Sequence, residues 1–394
     1  MPVNQGQLPK AQSNRSRVSA AAIKICLTIV LLASIVCALT SSQRVTGQNR
    51  KSKRSPKPTP TPAASGLKAL GAPPPAPLLK KKTEEEIKPG DVISVETSEV
   101  MLPVTVRDSH GRLISDLTRK DFHVFEDNRE QPLSELALRQ VPVDVILMVD
   151  ASSSVAANLD DFRRAAENFA TQLDPNDRIS LIKFDDRVEL LQDWTRSRFQ
   201  LHRALGRIEG GMFTRFNDAL LLAAQQQFRE GTQSRRAAII LSDGIDSGRG
   251  ATSAEQALQA LLATQVTVYV ISNTEISRAT KRAELDSLTA SDSSARFNQL
   301  RIDDLREGLH VLDESEQMLA QLAEATGGRL YKPLSFDRLG DAYREVADEL
   351  RRQYAIYYTP LNKTRDGSFR RTRVETKDPN YKTSTRIGYY APRG

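Results

Sequence analysis

Cysteine is nearly absent from this chain of 394 residues, which contains only two. Both of them, Cys26 and Cys37, lie in one apolar run near the N-terminus. The rest of the sequence therefore has no residues for a disulfide framework, a thiolate zinc site or a cysteine nucleophile. Histidine is also scarce, and none of the four falls in the paired spacing of a zinc enzyme. Zinc catalysis is therefore not expected.

The apolar run at residues 25–39 is shorter than the roughly 20 apolar residues that a membrane helix needs. Four basic residues and no acidic one precede it, which is the pattern of a secretory signal. No clean cleavage site follows, so residues 1–42 are predicted to be a signal peptide or an N-terminal anchor. We expect export to the periplasm, the cell surface or the extracellular space.

Positive charge is concentrated at the N-terminus. The net charge is +7, but residues 1–92 carry 15 basic and four acidic residues, whereas the remainder carries 41 basic and 45 acidic residues. The basic isoelectric point is therefore poor evidence for nucleic-acid binding. We expect no nucleic-acid partner. Membrane contact is expected only through the N-terminal segment, if that segment is not cleaved.

The outer parts of the remaining chain have their own patterns. Residues 43–91 are rich in proline and lysine, which predicts an extended, disordered linker. Residues 92–139 and 360–394 contain short apolar alternations around turn signals and are predicted to form β-hairpin segments. Because so few residues make a poor independent core, we hypothesise that these two flanks join into one small sheet domain.

Between the flanks, residues 140–359 alternate between strand and helix patterns. The near-continuous apolar run at residues 143–149 is typical of a parallel strand buried on both faces. Further strands are predicted at 178–184, 188–191, 237–241, 266–271, 329–331 and 354–358. Residues 273–312 are interpreted as an irregular polar insertion, helical only around 281–288. The predicted fold class is α/β, with a doubly wound, mostly parallel sheet and small flanking all-β segments.

Oxygen-bearing side chains follow the ends of several predicted strands. Asp150, Ser152 and Ser154 form a D-x-S-x-S sequence directly after residues 143–149, and Thr214 and Asp243 follow downstream. Together they make an all-oxygen ligand set, which suits Mg²⁺ or Mn²⁺ rather than zinc or copper. Alone, D-x-S-x-S is more often a helix-capping turn, but the downstream residues favour a metal site. Three further acidic residues are interpreted as turn or solvated loop residues: Asp185, Asp186 and Asp246.

In this combination the sequence resembles the von Willebrand factor type A (VWA) domain over roughly residues 142–358. Segments at 117–127, 349–354 and 386–390 resemble the flanks of bacterial exported VWA-related proteins. The resemblance implies a metal-ion-dependent adhesion site. Ser152, Ser154 and Thr214 would be direct hydroxyl ligands, while Asp150 and Asp243 would act largely through waters. One coordination position would remain for an Asp or Glu of a protein partner.

The sequence departs from the family pattern at two positions. Met212 and Phe213 stand between the two glycines and Thr214, where the family usually has Gly-Gly-Thr. Ser153 occupies a position where glycine is common, which matters only if the backbone there needs a positive φ.

These features predict an exported, non-enzymatic module for protein binding, in which Mg²⁺ or Mn²⁺ captures a carboxylate of a protein partner. One alternative is an envelope assembly scaffold whose ion is structural. Another is a metal-assisted hydrolase. A dehalogenase-like phosphohydrolase would have a second aspartate where Ser152 stands, and no Ser-His-Asp arrangement is evident.

Overall fold

The structure is a computed structural model that describes residues 99–138, 141–153, 158–228, 234–290 and 298–394. The predicted signal or anchor and the predicted linker lie outside the described residues. In the described ranges, no helix combines the length and the apolar character needed to cross a membrane.

The described strands, in chain order, are β1 (Val100–Arg107), β2 (Phe122–Glu126), β3 (Arg129–Gln131), β4 (Leu133–Leu138), β5 (Val143–Asp150), β6 (Arg178–Phe184), β7 (Val188–Thr195), β8 (Arg235–Leu241), β9 (Thr267–Ile271), β10 (Leu330–Tyr331), β11 (Tyr354–Tyr358), β12 (Phe369–Thr376), β13 (Lys382–Ser384) and β14 (Gly388–Tyr390). The described helices are α1 (Leu159–Ala170), α2 (Arg198–Leu205), α3 (Phe216–Leu222), α4 (Ala254–Ala263), α5 (Thr274–Thr289), α6 (Gln299–Ala325) and α7 (Leu339–Arg352). One turn of π-helix, Ala223–Gln227, continues α3.

A six-stranded sheet with the order β10-β9-β8-β5-β6-β7 forms the centre of the fold. Its neighbouring strands are parallel except β6 and β7, which are antiparallel. Helices α1, α2 and α7 contribute to the core on one face, and α3, α4 and α6 contribute to the core on the other. All eight residues of β5 are buried, because this strand has a strand on each side and helices on both faces. The predicted doubly wound, mostly parallel α/β fold is confirmed.

Two small antiparallel sheets lie beside this domain, with the orders β13-β1-β11-β4 and β14-β12-β2-β3. They share one core, which contains Leu102 and Val104 of β1, Val124 of β2, and Ile356 and Tyr358 of β11. Each sheet combines strands from before and after the α/β domain, since β1 pairs with β13 and β2 pairs with β12. The structure thus pairs the two flanks across the domain that separates them in sequence.

Two expectations from the sequence are wrong. The strand at residues 354–358 exists as β11, but it pairs with β1 and β4 rather than with the six-stranded sheet. Its pattern of apolar residues fits a buried strand in either sheet, so the pattern did not specify its partner. Residues 273–312 are not irregular, because α5 and the first half of α6 occupy most of this range. In this range α6 buries only a narrow stripe, with Ile302, Leu305 and Leu312, and the buried residues of α5 are Thr274 and Arg278, so both helices are largely polar.

Candidate metal site

The strand order places two of the predicted ligands at the same edge of the sheet. Strands β5 and β8 are parallel neighbours, and Val149 pairs with Leu241 in their register. Asp150 therefore ends β5 beside Ser242 and Asp243, which follow β8. Asp150 is fully buried, and Asp243 is only 6% exposed. The carboxyl ends of parallel strands are where α/β sheets usually place their ligand sites.

Hydrogen bonds fix the orientation of the Asp150 carboxylate. Its Oδ1 accepts from the backbone N–H of Ser152 at 2.9 Å, and its Oδ2 accepts from the Ser242 hydroxyl at 2.7 Å. The Ser242 Oγ in turn accepts from the backbone N–H of Gly244 at 2.9 Å. These bonds join the loop after β5 to the loop after β8. Ser242 was not among the predicted ligands, although its place beside Asp243 in the sequence was a signal for it.

The electrostatics of Asp150 favour a bound cation. Burial raises the pKa of Asp150, and the negative charge of Asp243 raises it further, to about 7. Hydrogen bonds from Ser152 and Ser242 oppose this shift without cancelling it. Two ionised carboxylates that repel each other in a buried place are stabilised by a cation between or beside them. The donor set of carboxylates and hydroxyls therefore fits a hard divalent ion.

The turn that carries Asp243 is held by helix α6. The Asp243 Oδ1 accepts from the backbone N–H of Ile245 at 3.2 Å, and the Asp243 backbone carbonyl accepts from the Ser315 hydroxyl of α6. Gly244 has a φ of +75°, and a Cβ at this position would lie 2.6 Å from Cγ of Leu319. The turn therefore requires glycine both for its backbone conformation and for its close approach to α6.

The loop that carries Thr214, residues 209–215, connects the other two loops. The backbone N–H of Gly211 donates to the Ala151 carbonyl at 2.8 Å. The backbone N–H of Thr214 donates to the Ser247 hydroxyl at 2.8 Å, and the backbone N–H of Ser247 donates to the Thr214 carbonyl at 2.9 Å. Thr214 itself is buried, at 6% exposure. Three separate loops thus meet at this edge.

The structure therefore brings four of the five predicted ligands to one edge of the sheet, and they are Asp150, Ser152, Thr214 and Asp243. Ser154 lies outside the described residues. In the described part of the chain, no group of three or more His, Cys, Asp or Glu side chains is placed to hold a metal. The role of these residues as ligands stays a prediction.

The acidic residues interpreted as turn or loop residues have structural contacts. Asp185 accepts from the backbone N–H of Arg187 at 3.0 Å, as in a turn, and lies 2.7 Å from the Lys183 ammonium. Asp186 accepts from the backbone N–H of Met212 at 3.1 Å, which ties its turn to the Thr214 loop. Lys183 was missed by the sequence analysis. Its signal in the sequence was a lysine at the end of the apolar run Leu181-Ile182.

Asp246 also has a structural role. Its Oδ2 accepts from the backbone N–H of Asn217 at 3.0 Å, in the first turn of α3, and its Oδ1 accepts from the backbone N–H of Gly248 at 2.8 Å. This carboxylate therefore stabilises the start of α3 and the loop after β8 together.

A doubly wound α/β domain with carboxylates and hydroxyls on three adjacent loops at one sheet edge is an architecture built for binding a ligand at that edge. The family model of the von Willebrand factor type A domain matches residues 144–325, which run from β5 to the end of α6. The chain therefore contains a VWA domain. No curated protein matches the chain.

Solved structures of several proteins are similar to this chain. Proximal thread matrix protein 1 from the mussel byssus is 14% identical, with a TM-score of 0.41, over 57% of this chain and 51% of that one. This chain thus spans about half the length of the mussel protein. The mussel protein has also been solved with zinc in its metal-ion-dependent adhesion site (MIDAS) motif. A von Willebrand factor type A protein from Catenulispora acidiphila is 12% identical, with a TM-score of 0.40, over 69% of this chain and 74% of that one. An aerotolerance-related membrane protein from Bacteroides fragilis is 18% identical, with a TM-score of 0.37, over 53% of this chain and 98% of that one.

Proposed function

We propose that this chain is an exported, non-enzymatic protein-binding module that captures a carboxylate of a protein partner through Mg²⁺ or Mn²⁺. The proposed ligands of the ion are Asp150, Ser152, Ser154, Thr214 and Asp243. The observation that carries the proposal is the buried pair of Asp150 and Asp243, whose mutual repulsion contributes to the raised pKa of Asp150. A divalent ion would remove this repulsion.

Each proposed ligand has a distinct part. The carboxylates of Asp150 and Asp243 neutralise the charge of the ion, and the hydroxyls of Ser152, Ser154 and Thr214 bind it without adding negative charge. When bound, the ion supplies a positive centre for an anionic oxygen. Because the two carboxylates act largely through waters and the direct ligands are neutral hydroxyls, the ion remains strongly attracted to a further carboxylate. An Asp or Glu side chain of a protein partner supplies this carboxylate.

Two other observations support the proposal. VWA domains are commonly protein-interaction modules, often with a metal-ion-dependent adhesion site. The basic and apolar pattern at residues 1–42 is that of a secretory signal, which would place the domain where it meets partners outside the cytoplasm. The expected home is the periplasm, the cell surface or the extracellular space.

Capture of partners from a native envelope extract tests this function. The full chain, its Asp243→Ala variant and its Asp160→Asn variant are immobilised and exposed to the extract with Mg²⁺ or with EDTA. Asp160 is the matched control, because it is an exposed carboxylate whose side chain pairs with Arg163 on the same helix. We expect Mg²⁺-dependent capture by the wild type and by Asp160→Asn, and none by Asp243→Ala. Capture that EDTA leaves unchanged would contradict the proposal.

The scaffold alternative makes a different prediction. An ion that only joins the three loops would raise the melting temperature without adding any metal-dependent partner. Hydrogen bonds such as that from Gly211 to Ala151 join these loops directly, so the scaffold alternative requires the ion to add to an existing connection. The hydrolase alternative is tested by phosphate esters, for which we expect no turnover.

A further inference from the structure

The Thr214 loop carries an exposed apolar tip at the candidate metal site. Met212 is 73% exposed, and it stands immediately after Gly211, whose backbone is bonded to the loop of Asp150. Met212 and Phe213 are also the two residues by which this loop departs from the Gly-Gly-Thr pattern. Single exposed apolar side chains are common on protein surfaces, so exposure alone does not indicate a binding surface.

Hydrogen bonds on both sides hold this tip in place. The backbone N–H of Met212 donates to Asp186 Oδ2 at 3.1 Å, and that of Gly211 donates to the Ala151 carbonyl at 2.8 Å. On the other side, Thr214 is bonded in both directions to Ser247. The loop therefore presents the Met212 side chain to solvent from a fixed backbone. Pre-organisation of this kind lowers the entropic cost of binding a partner.

A cation from a second loop lies against the same tip. The guanidinium carbon of Arg249 is 3.4 Å from the centre of the Phe213 ring, which is a cation–π contact. Arg249 is exposed and belongs to the loop that follows Asp243. Among the described residues, none forms an ion pair with Arg249. Its N–H donors are thus presented to solvent from a platform that Phe213 fixes.

The charges close to Met212, Phe213 and Arg249 come from three elements. Asp186 is exposed but accepts the Met212 N–H, and Asp246 accepts from the backbone at the start of α3. Arg187 is exposed, and Arg215 lies 3.6 Å from Asp218. Asp186 and Asp246 each accept from a backbone N–H group, Asp185 pairs with Lys183, and no described residue forms an ion pair with Arg249. The exposed Arg249 guanidinium is therefore the group at this tip that can pair with a carboxylate of a partner.

We propose that Met212, Phe213 and Arg249 form a recognition rim for a protein segment of defined chemistry. This inference rests on the proposed function, because the metal-binding Asp or Glu of the segment anchors it. A large apolar side chain within two residues of that acid packs on Met212, and a second carboxylate pairs with Arg249. The metal supplies a general affinity for carboxylates, and the rim supplies the choice among segments that carry one.

Peptide display tests the rim. A random library of ten-residue peptides is panned on the immobilised full chain in Mg²⁺, and bound peptides are eluted with EDTA. The panning is repeated on Met212→Ser, on Arg249→Gln and on a control, Phe199→Ser. Phe199 is 68% exposed and stacks with Arg203, but it lies on α2, which begins near the opposite edge of the sheet, where Thr195 pairs with Ile179.

If these residues form the rim, each variant should lose a different sequence preference among the selected peptides. Library peptides selected by the wild type and by Phe199→Ser should combine an acidic residue, a neighbouring large apolar residue and a second acidic residue. Met212→Ser should lose the apolar preference, and Arg249→Gln should lose the preference for the second acid. A peptide selected by the wild type should bind Met212→Ser about tenfold more weakly, which corresponds to losing the burial of one apolar side chain.

The failures of the two proposals are distinguishable. If all four proteins select the same sequences, or if only a single acid is enriched, the rim is overturned while capture through the metal stands. If the wild type yields no EDTA-eluted peptides, the proposed function is overturned, and the rim with it.

Discussion

Asp150 is a residue whose surroundings lower the stability of the metal-free fold. A carboxyl group that is fully buried beside a second carboxylate costs free energy whenever it ionises. The hydrogen bonds from Ser152 and Ser242 compensate for only part of this cost. Local conflicts of this kind are expected at functional sites, where a ligand relieves them.

A pH-dependent stability follows from Asp150. Its pKa in the folded, metal-free protein is raised from 3.8 to about 7, so the folded state holds this proton more tightly than the unfolded state does. The contribution of this proton to the free energy of unfolding is fully present below about pH 4 and is lost as the pH rises to about 7. In EDTA at pH 8, Asp150→Asn should therefore be more stable than the wild type, by on the order of 2–4 kcal/mol. Urea unfolding at pH 4 and pH 8 measures the difference.

At pH 4 this advantage of Asp150→Asn should largely disappear, and Mg²⁺ at pH 8 should stabilise only the wild type. An advantage of the same size at both pH values would contradict the account.

At the residue scale, much of the candidate site was predictable. Asp150 and Ser152 follow one predicted strand and Asp243 follows another, and parallel strands end at a common edge, so their meeting required only the correct fold class. Thr214 follows α2 rather than a strand, so this argument does not place it. Lys183 and Ser315 were not predictable in the same way. Ser315 reaches the Asp243 turn from α6 through tertiary packing, and sequence spacing carries no information about such a contact. Lys183 pairs with Asp185 two residues further along the chain, but a single lysine does not specify that pair.

At the scale of elements, α6 positions the turn that carries Asp243. Leu319 of α6 lies where a Cβ on Gly244 would be, and Ser315 donates to the Asp243 carbonyl. The position of this helix is therefore coupled to that of a proposed ligand.

Gly244→Ala tests this coupling against a matched control. Gly244 and Gly248 both have positive φ, at +75° and +64°, but a Cβ on Gly248 would have no atom within 4 Å. Gly248→Ala should cost about 1 kcal/mol for backbone conformation alone. Gly244→Ala should cost about 2–4 kcal/mol, because it adds overpacking against Leu319, and should also weaken Mg²⁺ binding. Urea unfolding in EDTA compares them, and equal losses would argue against a role for α6.

The wrong predictions also belong to the scale of elements. The apolar run of β11 identified a strand but not its sheet, because a neighbouring strand of either sheet can accept its backbone hydrogen bonds. The polar composition of α5 and α6 was mistaken for irregular structure. Their polar faces are instead solvated and joined by ion pairs, such as that of Arg301 with Glu284 at 2.7 Å.

At the scale of the molecule, the paired flanks are bound to the α/β domain. Arg386, before β14, donates to the Met101 carbonyl at 2.6 Å and to Gln265 Oε1 at 3.1 Å. The backbone N–H of Ile387 donates to the Ala325 carbonyl, at the end of α6, at 3.0 Å. The sequence suggested that the flanks join, but the contacts of Arg386 became visible only in the structure. We expect the described domain and its flanks to unfold cooperatively.

The centre of the paired flanks is a buried polar cluster around Glu126. The carboxylate accepts from the Tyr358 hydroxyl at 2.9 Å, from the Tyr389 hydroxyl at 2.8 Å and from Arg370 at 3.4 Å. Glu126→Ala leaves the Arg370 charge buried without this partner, and should cost about 3–5 kcal/mol. Glu375→Ala is the control, because its pair with Arg373 is half-exposed and its loss should cost under about 1 kcal/mol.

Urea unfolding followed by tryptophan fluorescence, which reports from Trp194 in the α/β domain, gives both values. If Glu126→Ala leaves the Trp194 transition unchanged while circular dichroism shows loss of the flanking sheets, the molecule does not unfold as one unit.

Titration calorimetry of the full chain with MgCl₂ and MnCl₂, beside Asp243→Ala and the Asp160→Asn control, is the most direct test of the central claim. The account predicts uptake of one ion per chain by the wild type and by Asp160→Asn, and none by Asp243→Ala. An absence of uptake by the wild type, or equal uptake by Asp243→Ala, would contradict it.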